Sequence, residues 1–152
     1  MGAYEKCTNV FPAPGFSADA AIIAAEKYKA NVLLGTPTMF VDILGSKIRA
    51  NHDISSIDYA IVGGSPVTPS LAAAARDELQ TYICCVYGMT EVSGGLFLTP
   101  FGAGDEITCN SVGYAYPGVT AKLINEAGEI VKVGETGELC AKSEFNFDGL
   151  LL

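Results

Sequence analysis

Histidine occurs once in 152 residues, Lys and Arg together nine times against 17 Asp and Glu, and the five cysteines show no CxxC spacing. Each shortage removes a class of function. The lone His52 sits in the polar stretch RANHDISS, which argues against Ser-His-Asp or Cys-His catalysis and reads as a solvated loop. A zinc site lacks paired ligands. A net charge of -8 with no basic cluster argues against nucleic acid or an anionic membrane as partner. A small anion can still bind such a chain where backbone amides and a cation supply the positive potential. No apolar run is long enough to span a bilayer. The opening MGAYEKCTNVF lacks the long apolar stretch of a secretory leader, and Lys6 stands where a myristoylation signal at Gly2 needs Ser or Thr. The expectation is a soluble intracellular chain, cytoplasmic or mitochondrial, with reduced and mostly buried thiols. Cys84 and Cys85, adjacent on a strand, point to opposite faces.

What the chain does have is a core. Hydrophobic residues make up 49% of it, charged ones 17%, and 17 glycines with 7 prolines supply turns, the composition of one folded domain. Residues 7 to 11 form a β-like run closed by Pro12 and Pro14. Ser17 or Asp19 then caps a helix with Ala18, Ile22, Ala25 and Tyr28 on one face. Residues 31 to 34 read as a buried strand, and Thr36-Pro37 opens a helix whose inward stripe is Phe40, Ile43, Leu44 and Ile48. The grammar repeats: a strand at 59 to 62, the turn Gly63-Gly64-Ser65-Pro66, a helix from Thr68-Pro69 with Leu71, Ala75 and Leu79, and a strand at 82 to 86. The predicted fold class is α/β, part of a mostly parallel sheet flanked by helices on both faces. After Thr90 the helical period is lost. Short β-like pieces at 96 to 99, 119 to 124, 129 to 133 and 138 to 141, with Gly128 and Gly134 placed for hairpin turns, predict the start of an antiparallel β subdomain. The expected division is 1–93, a partial nucleotide-binding unit, and 94–152, a partial β unit of the same incomplete domain. The end, EFNFDGLLL, closes on apolar residues without a cap.

Ligands of open α/β sheets settle beyond the carboxyl ends of the strands, where two loops are expected, GGSP at 63–66 and YGMTE at 87–91. Neither fits GxxxxGK[ST], and Gly102-Ala103-Gly104-Asp105-Glu106-Ile107 does not complete GxGxxG. Asp105-Glu106 reads as a solvated acidic turn. In the second loop Tyr87 can stack on a planar base and Gly88 leaves the backbone open to a reacting group. Thr90 can donate a hydrogen bond, and Glu91 can hold a hard cation such as Mg²⁺. Two readings stand side by side: a nucleotide phosphate site, or a packed ring, a turn and polar surface. Phe40, Met39 and Val41 could border an acyl tunnel, but their helical spacing favours core packing.

VYGMTE resembles the Tyr-Gly-x-Thr-Glu motif of the adenylate-forming acyl-CoA synthetase and ligase superfamily. NVFPAPGF, LLGTPTMFVDIL, IVGGSPVTPSL, NSVGYAYPGVTAKL and GETGELCAKS follow the family's order, and GTPTMFVDIL is most similar to the medium-chain branch. The likeness reaches about residue 143. It implies a reaction in which a carboxylate, such as a fatty acid, attacks the α-phosphate of ATP to give an acyl-adenylate, whose acyl group then passes to coenzyme A. By position, Gly63, Gly64, Ser65 and Pro66 would line the adenine side and Tyr87 would stack on the base. Gly88 and Met89 would border the acyl-phosphate, Thr90 would bond the phosphate, and Glu91 would ligate Mg²⁺. Residues 110–113 and 137–139 resemble structural turns and strands of the family.

The family's lysine-bearing Ser/Thr/Gly-rich loop, its Thr-Gly-Asp motif, the arginine after it and the lysine of its small C-terminal domain have no counterpart among these residues. Lys142-Ser143 and Gly149-Leu150 stand where Arg-Gly and Gly-Tyr are usual. An internal slice of a large domain is the expectation, inactive by itself. The alternatives are a non-catalytic nucleotide- or partner-binding remnant, and a chain that does not fold stably. A partial sheet exposes edges, so self-association through them is expected.

Overall fold

The computed structural model describes residues 6–149. Gly2 and the three final leucines, to which the anchor and chain-end expectations refer, lie outside the described residues.

The first helix, α1 (Ala18–Tyr28), begins where Ser17 accepts the Ala20 amide at 3.3 Å, and it ends at a left-handed Lys29. It buries Ile22 and Ala25, whereas Tyr28 is exposed. The preceding residues 7 to 11 form no strand and are exposed. The prolines that follow them have no N–H to offer a ladder.

Strand β1 (Val32–Gly35) leads into α2 (Pro37–Gly45), with Thr36 as the extended N-cap residue and Pro37 in the first turn. Phe40 and Ile43 are buried on its inward side. The helix stops at Gly45, so Ile48 is not part of its stripe but precedes a 3-10 turn at Arg49–Asn51. Strand β2 (Tyr59–Gly63) is followed by α3 (Pro69–Leu79), where the Thr68 hydroxyl accepts the Leu71 amide and Gln80 ends the helix in a left-handed conformation. Strand β3 (Tyr82–Tyr87) completes a parallel trio.

Two short strands extend the same sheet, β4 (Phe97–Leu98) antiparallel to β3 and β5 (Tyr114–Ala115) antiparallel to β4, giving the order β1-β2-β3-β4-β5. Among the described residues, only β6 (Thr120–Ile124) and β7 (Glu138–Lys142) form a separate antiparallel sheet. The expected strand at 129–133 reduces to one bridge between Ile130 and Ile124. Gly128 and Gly134 do adopt φ of +81° and +92°. Between β4 and β5 lies a helix the periodicity did not reveal, α4 (Asp105–Asn110), so Asp105 and Glu106 open a helix. Asp105 pairs there with Arg76 of α3.

The core lies between the sheet and its helices: Leu33, Ala60, Val62, Ile83 and Cys85 point to Phe40, Leu71, Ala72, Ala75 and Leu79. Cover on both faces, expected from the alternating pattern, is not what forms. Strands laid down in sequential order with right-handed crossovers put α2 and α3 on one side, because changing sides requires a reversal of strand order. The register puts Val32 and Leu34 of β1, Tyr59 and Ile61 of β2, and Tyr82 and Cys84 of β3 on the other face. There Leu34 is 76% exposed, and Val32 and Tyr82 about half. Phe101 covers part of that face, its ring set edge-on to Tyr59 with centroids 4.8 Å apart.

His52, expected in solvent, is tied down. Its Nδ1 lies 2.7 Å from Glu26 Oε2, and the other oxygen of Glu26 accepts the Asp53 amide at 2.7 Å. No helix among the described residues is long and apolar enough to cross a membrane.

Candidate nucleotide site

The parallel register decides which loops meet. Gly35 pairs with Val62, and Gly63 with Val86, so the segments after β1, β2 and β3 leave the sheet at one edge, its carboxyl end. Thr36, Gly63 to Pro66 and Tyr87 to Glu91 therefore assemble along three neighbouring strands. Thr36 was not expected at the site, yet its methyl carbon would lie 3.7 Å from a Cβ at Gly64. Its signal was its place directly after an apolar strand.

The two loops differ in what holds them. Gly63 packs against β3: a Cβ there would stand 2.6 Å from Val86 Cγ1 and 3.0 Å from the Val86 carbonyl oxygen. Gly64 takes a φ of +86°, which admits glycine far more readily than other residues. Ser65 donates its hydroxyl to the Gly64 carbonyl at 2.8 Å. Gly64, Ser65 and Pro66 are exposed, while Val67 is buried and anchors the turn.

In the second loop Tyr87 is half-buried, its ring tilted 59° against Phe97 with centroids 6.1 Å apart. Gly88 was expected to open the backbone to a ligand, but its vacant side-chain position is filled from within. A Cβ there would collide with the carbonyl of Gly94 and lie 2.7 Å from Gly95 Cα. The chain then doubles back through a 3-10 turn at Thr90–Val92. Gly94 and Val92 donate to the Met89 carbonyl at 3.0 and 3.2 Å, Ser93 to that of Thr90 at 3.1 Å, and Leu96 to that of Tyr87 at 2.8 Å. Buried Val92 and Leu96 pin the turn, leaving Met89, Thr90 and Glu91 exposed.

These loops offer a half-buried ring, exposed hydroxyls at Ser65 and Thr90, and one carboxylate at Glu91. Among the described residues no cluster of three or more His, Cys, Asp or Glu could hold a metal ion. Magnesium is commonly held by one or two carboxylates together with substrate phosphates and water. A single exposed carboxylate beside a hydroxyl fits that habit when the phosphate supplies the remaining donors.

The whole described chain matches the family described as "AMP-binding enzyme", over residues 2–151. This chain belongs to that family. It is 34% identical over 135 residues to the acyl-CoA ligase cnsG of Penicillium expansum, covering 88% of this chain and 28% of the relative. To the mitochondrial medium-chain acyl-CoA ligase ACSF2 of Rattus norvegicus it is 34% identical over 137 residues, 89% of this chain and 22% of that one. The fold is shared with the anthranilate CoA ligase AuaEII, solved in complex with anthranoyl-AMP, at TM-score 0.77 and 24% identity over 88% of this chain and 26% of that one. The amide bond synthetase McbA of Marinactinospora thermotolerans matches at TM-score 0.77 and 25% identity, covering 88% and 27%. The chain thus spans about a quarter of the length of these relatives.

Proposed function

We propose that these 152 residues carry part of the adenylate pocket of an ATP-dependent acyl-CoA synthetase and do not complete the reaction by themselves. The observation that carries this reading is the register Gly63↔Val86, which puts the GGSP and YGMTE loops side by side at the carboxyl edge of a parallel sheet in an AMP-binding chain. Gly63, Gly64, Ser65 and Pro66 border the adenine, and the half-buried Tyr87 ring stacks on it. Gly88 keeps the doubled-back turn closed, so that Met89 borders the acyl-phosphate and the Thr90 hydroxyl donates to a phosphate oxygen. Glu91 would hold Mg²⁺, which when bound offsets charge on the phosphates.

In the full reaction the carboxylate oxygen of an acid, medium-chain fatty acids being the class suggested by the relatives' names, attacks the α-phosphorus. Pyrophosphate leaves, and the coenzyme A thiol then displaces AMP from the acyl-adenylate. Neither the lysine-bearing loop nor the Thr-Gly-Asp motif is found in these residues, so the reading assigns the chain binding without turnover. Units 1–93 and 94–152 divide the roles, with β4 and β5 bridging them. A reducing intracellular compartment, cytoplasmic or mitochondrial, suits Cys84 and Cys85, whose burial raises their thiol pKa values and keeps them protonated.

Calorimetry of the folded chain tests this. AMP binds, Tyr87→Ala weakens it about tenfold through loss of stacking, and Glu91→Gln removes the Mg²⁺ dependence of ATP binding while leaving AMP binding in place. No pyrophosphate is released from ATP and a medium-chain acid. A folded chain that ignores AMP, or one that releases pyrophosphate well above blank, overturns the reading. A second property is favoured by the β1 end of the sheet face opposite α2 and α3, which Phe101 does not reach: self-association of copies through the β1 edge and its exposed Val32 and Leu34.

A further inference from the structure

The small β6–β7 sheet is joined to the main sheet in a particular place. Among the described residues, two non-local hydrogen bonds connect residues 117–149 with the sheet of β1 to β5 and its loops, one ending on Glu91 of the candidate site and the other on Ser93 in the return of the same loop. The Phe147 amide donates to the Glu91 carbonyl at 2.9 Å, and the Ser93 hydroxyl donates to the Phe145 carbonyl at 3.0 Å.

The segment that makes them is itself a closed turn. Directly after β7, Asn146 Oδ1 accepts from both the amide and the hydroxyl of Ser143, each at 2.8 Å. The Ser143 hydroxyl oxygen accepts the Phe145 amide at 3.1 Å, and the Asn146 amide donates to the Ser143 carbonyl at 3.4 Å. Asn146 Nδ2 reaches back to the Ala141 carbonyl of β7 at 3.5 Å. This strap is therefore built around one side-chain acceptor.

At its far end the strap meets a residue in a sparsely populated conformation. Ser93 has a φ of +57°, a left-handed geometry that a side chain adopts at a cost and keeps only where its surroundings hold it. Its own N–H, donated to the Thr90 carbonyl, holds it from inside the loop, and the strap holds it from outside.

We propose that the Ser143–Phe147 strap is a positioning element of the nucleotide site, with Asn146 setting the strap and the strap setting the attitude of the Thr90–Glu91 turn. The proposal rests on the reading of that turn as the phosphate and Mg²⁺ side of the pocket. Main chain at Glu91 is gripped through its carbonyl, so the carboxylate is offered from a fixed backbone, and the small sheet becomes mechanically continuous with the site.

Asn146→Ala and Asn146→Asp separate positioning from bulk stability, since aspartate keeps the oxygen acceptor and alanine does not. Hydrogen exchange reads the effect without any ligand. In Asn146→Ala the amides of Val92, Ser93, Gly94 and Phe147 exchange about tenfold faster, as expected for loss of one or two hydrogen bonds. Those of Ala72 and Ala75 in α3 keep their protection, and AMP affinity falls about tenfold. Asn146→Asp, which keeps the Oδ1 acceptor for Ser143 but loses the Nδ2 donor to Ala141, restores most of both. Ser93→Gly removes the hydroxyl contact while relieving the left-handed strain. It speeds exchange at Phe147 with the core intact, and it serves if Asn146→Ala does not fold. Unchanged exchange at 92–94 in Asn146→Ala, or equal loosening of the loop and of α3, overturns the proposal. If exchange responds as stated but wild type shows no AMP binding, the nucleotide reading fails and the strap coupling stands. If wild type and Asn146→Ala bind AMP equally with identical exchange, the strap proposal fails and the site reading stands.

Discussion

Two buried threonines show how one substitution changes sign with its partner. The Thr99 hydroxyl accepts the Cys85 amide at 2.7 Å, while the Cys85 carbonyl accepts the Thr99 amide at 2.9 Å. A side-chain oxygen thus continues the β3 ladder one step beyond β4. Thr99→Val strands that buried amide and is expected to cost about 1–3 kcal/mol in urea unfolding. The Thr81 hydroxyl is equally buried and meets no hydrogen-bond partner among the described residues. Thr81→Val keeps the shape and removes the unpaired group, so stability rises by about 1 kcal/mol, read as a higher urea midpoint at unchanged m. Gly88→Ala is expected to cost about 1–3 kcal/mol, since its Cβ has to push Gly94 aside. A neutral Gly88→Ala would mean that the loop does not double back as described. The motif letters made Gly88 visible as special, but only the fold shows that the space it leaves is taken by its own chain.

At the scale of elements, α1 is fastened to the segment before β2 by a polar cluster. Glu26 is bonded to the Asp53 amide and to His52, while Asp53 accepts from Ser55 and forms a 2.9 Å pair with Lys29. The Asp53 amide, and secondly His52, lower the Glu26 pKa below its ordinary 4.5. The Ser55 hydroxyl, then Lys29, hold Asp53 well below the usual carboxylate range. Both folded-state values are depressed. The associated stability is present above the unfolded-state values, about 4, and is lost as pH falls through the folded ones. Lys29 has the opposite sign, being raised by Asp53, so its share is lost only as pH rises beyond the usual lysine range. Unfolding midpoints measured from pH 6 to pH 3 are expected to fall more steeply in wild type than in Glu26→Gln or Asp53→Asn. Equal slopes would show that the fastening contributes nothing. The contacts of Glu26 and Lys29 with His52 and Asp53 span 24 to 27 positions, which is why RANHDISS read alone as a solvated loop. Local signals served the helices better: Thr36-Pro37 and Thr68-Pro69 marked the starts of α2 and α3, whereas α4, at six residues, is too short to display a period.

For the whole molecule, the sheet face turned away from α1 to α3 dominates. Leu34 is 76% exposed on β1, the edge strand, with Val32 beside it. A parallel edge with an apolar face invites another strand. Sedimentation over a range of concentrations is expected to show mass rising with concentration, and Leu34→Lys to weaken the association about tenfold by placing a charge in the contact. A wild-type monomer at all concentrations would remove self-association from the account. Hydrophobic strands read from sequence as buried on both sides, because apolar runs do not record which face has a neighbour. Sequential strand order with right-handed crossovers places the helices on one side only.

Periodicity, caps and turn residues depend on neighbours within a few positions, and for that reason the order of strands and helices from Val32 to Tyr87 and the two candidate loops could be read from the chain alone. Contacts between distant positions carry no local mark. The antiparallel extension by β4 and β5, the Gly94 carbonyl in the space beside Gly88, the fastening of His52 to Glu26 and the strap from Phe145 to Ser93 were settled only by tertiary packing, which brings together groups that chain connectivity leaves far apart.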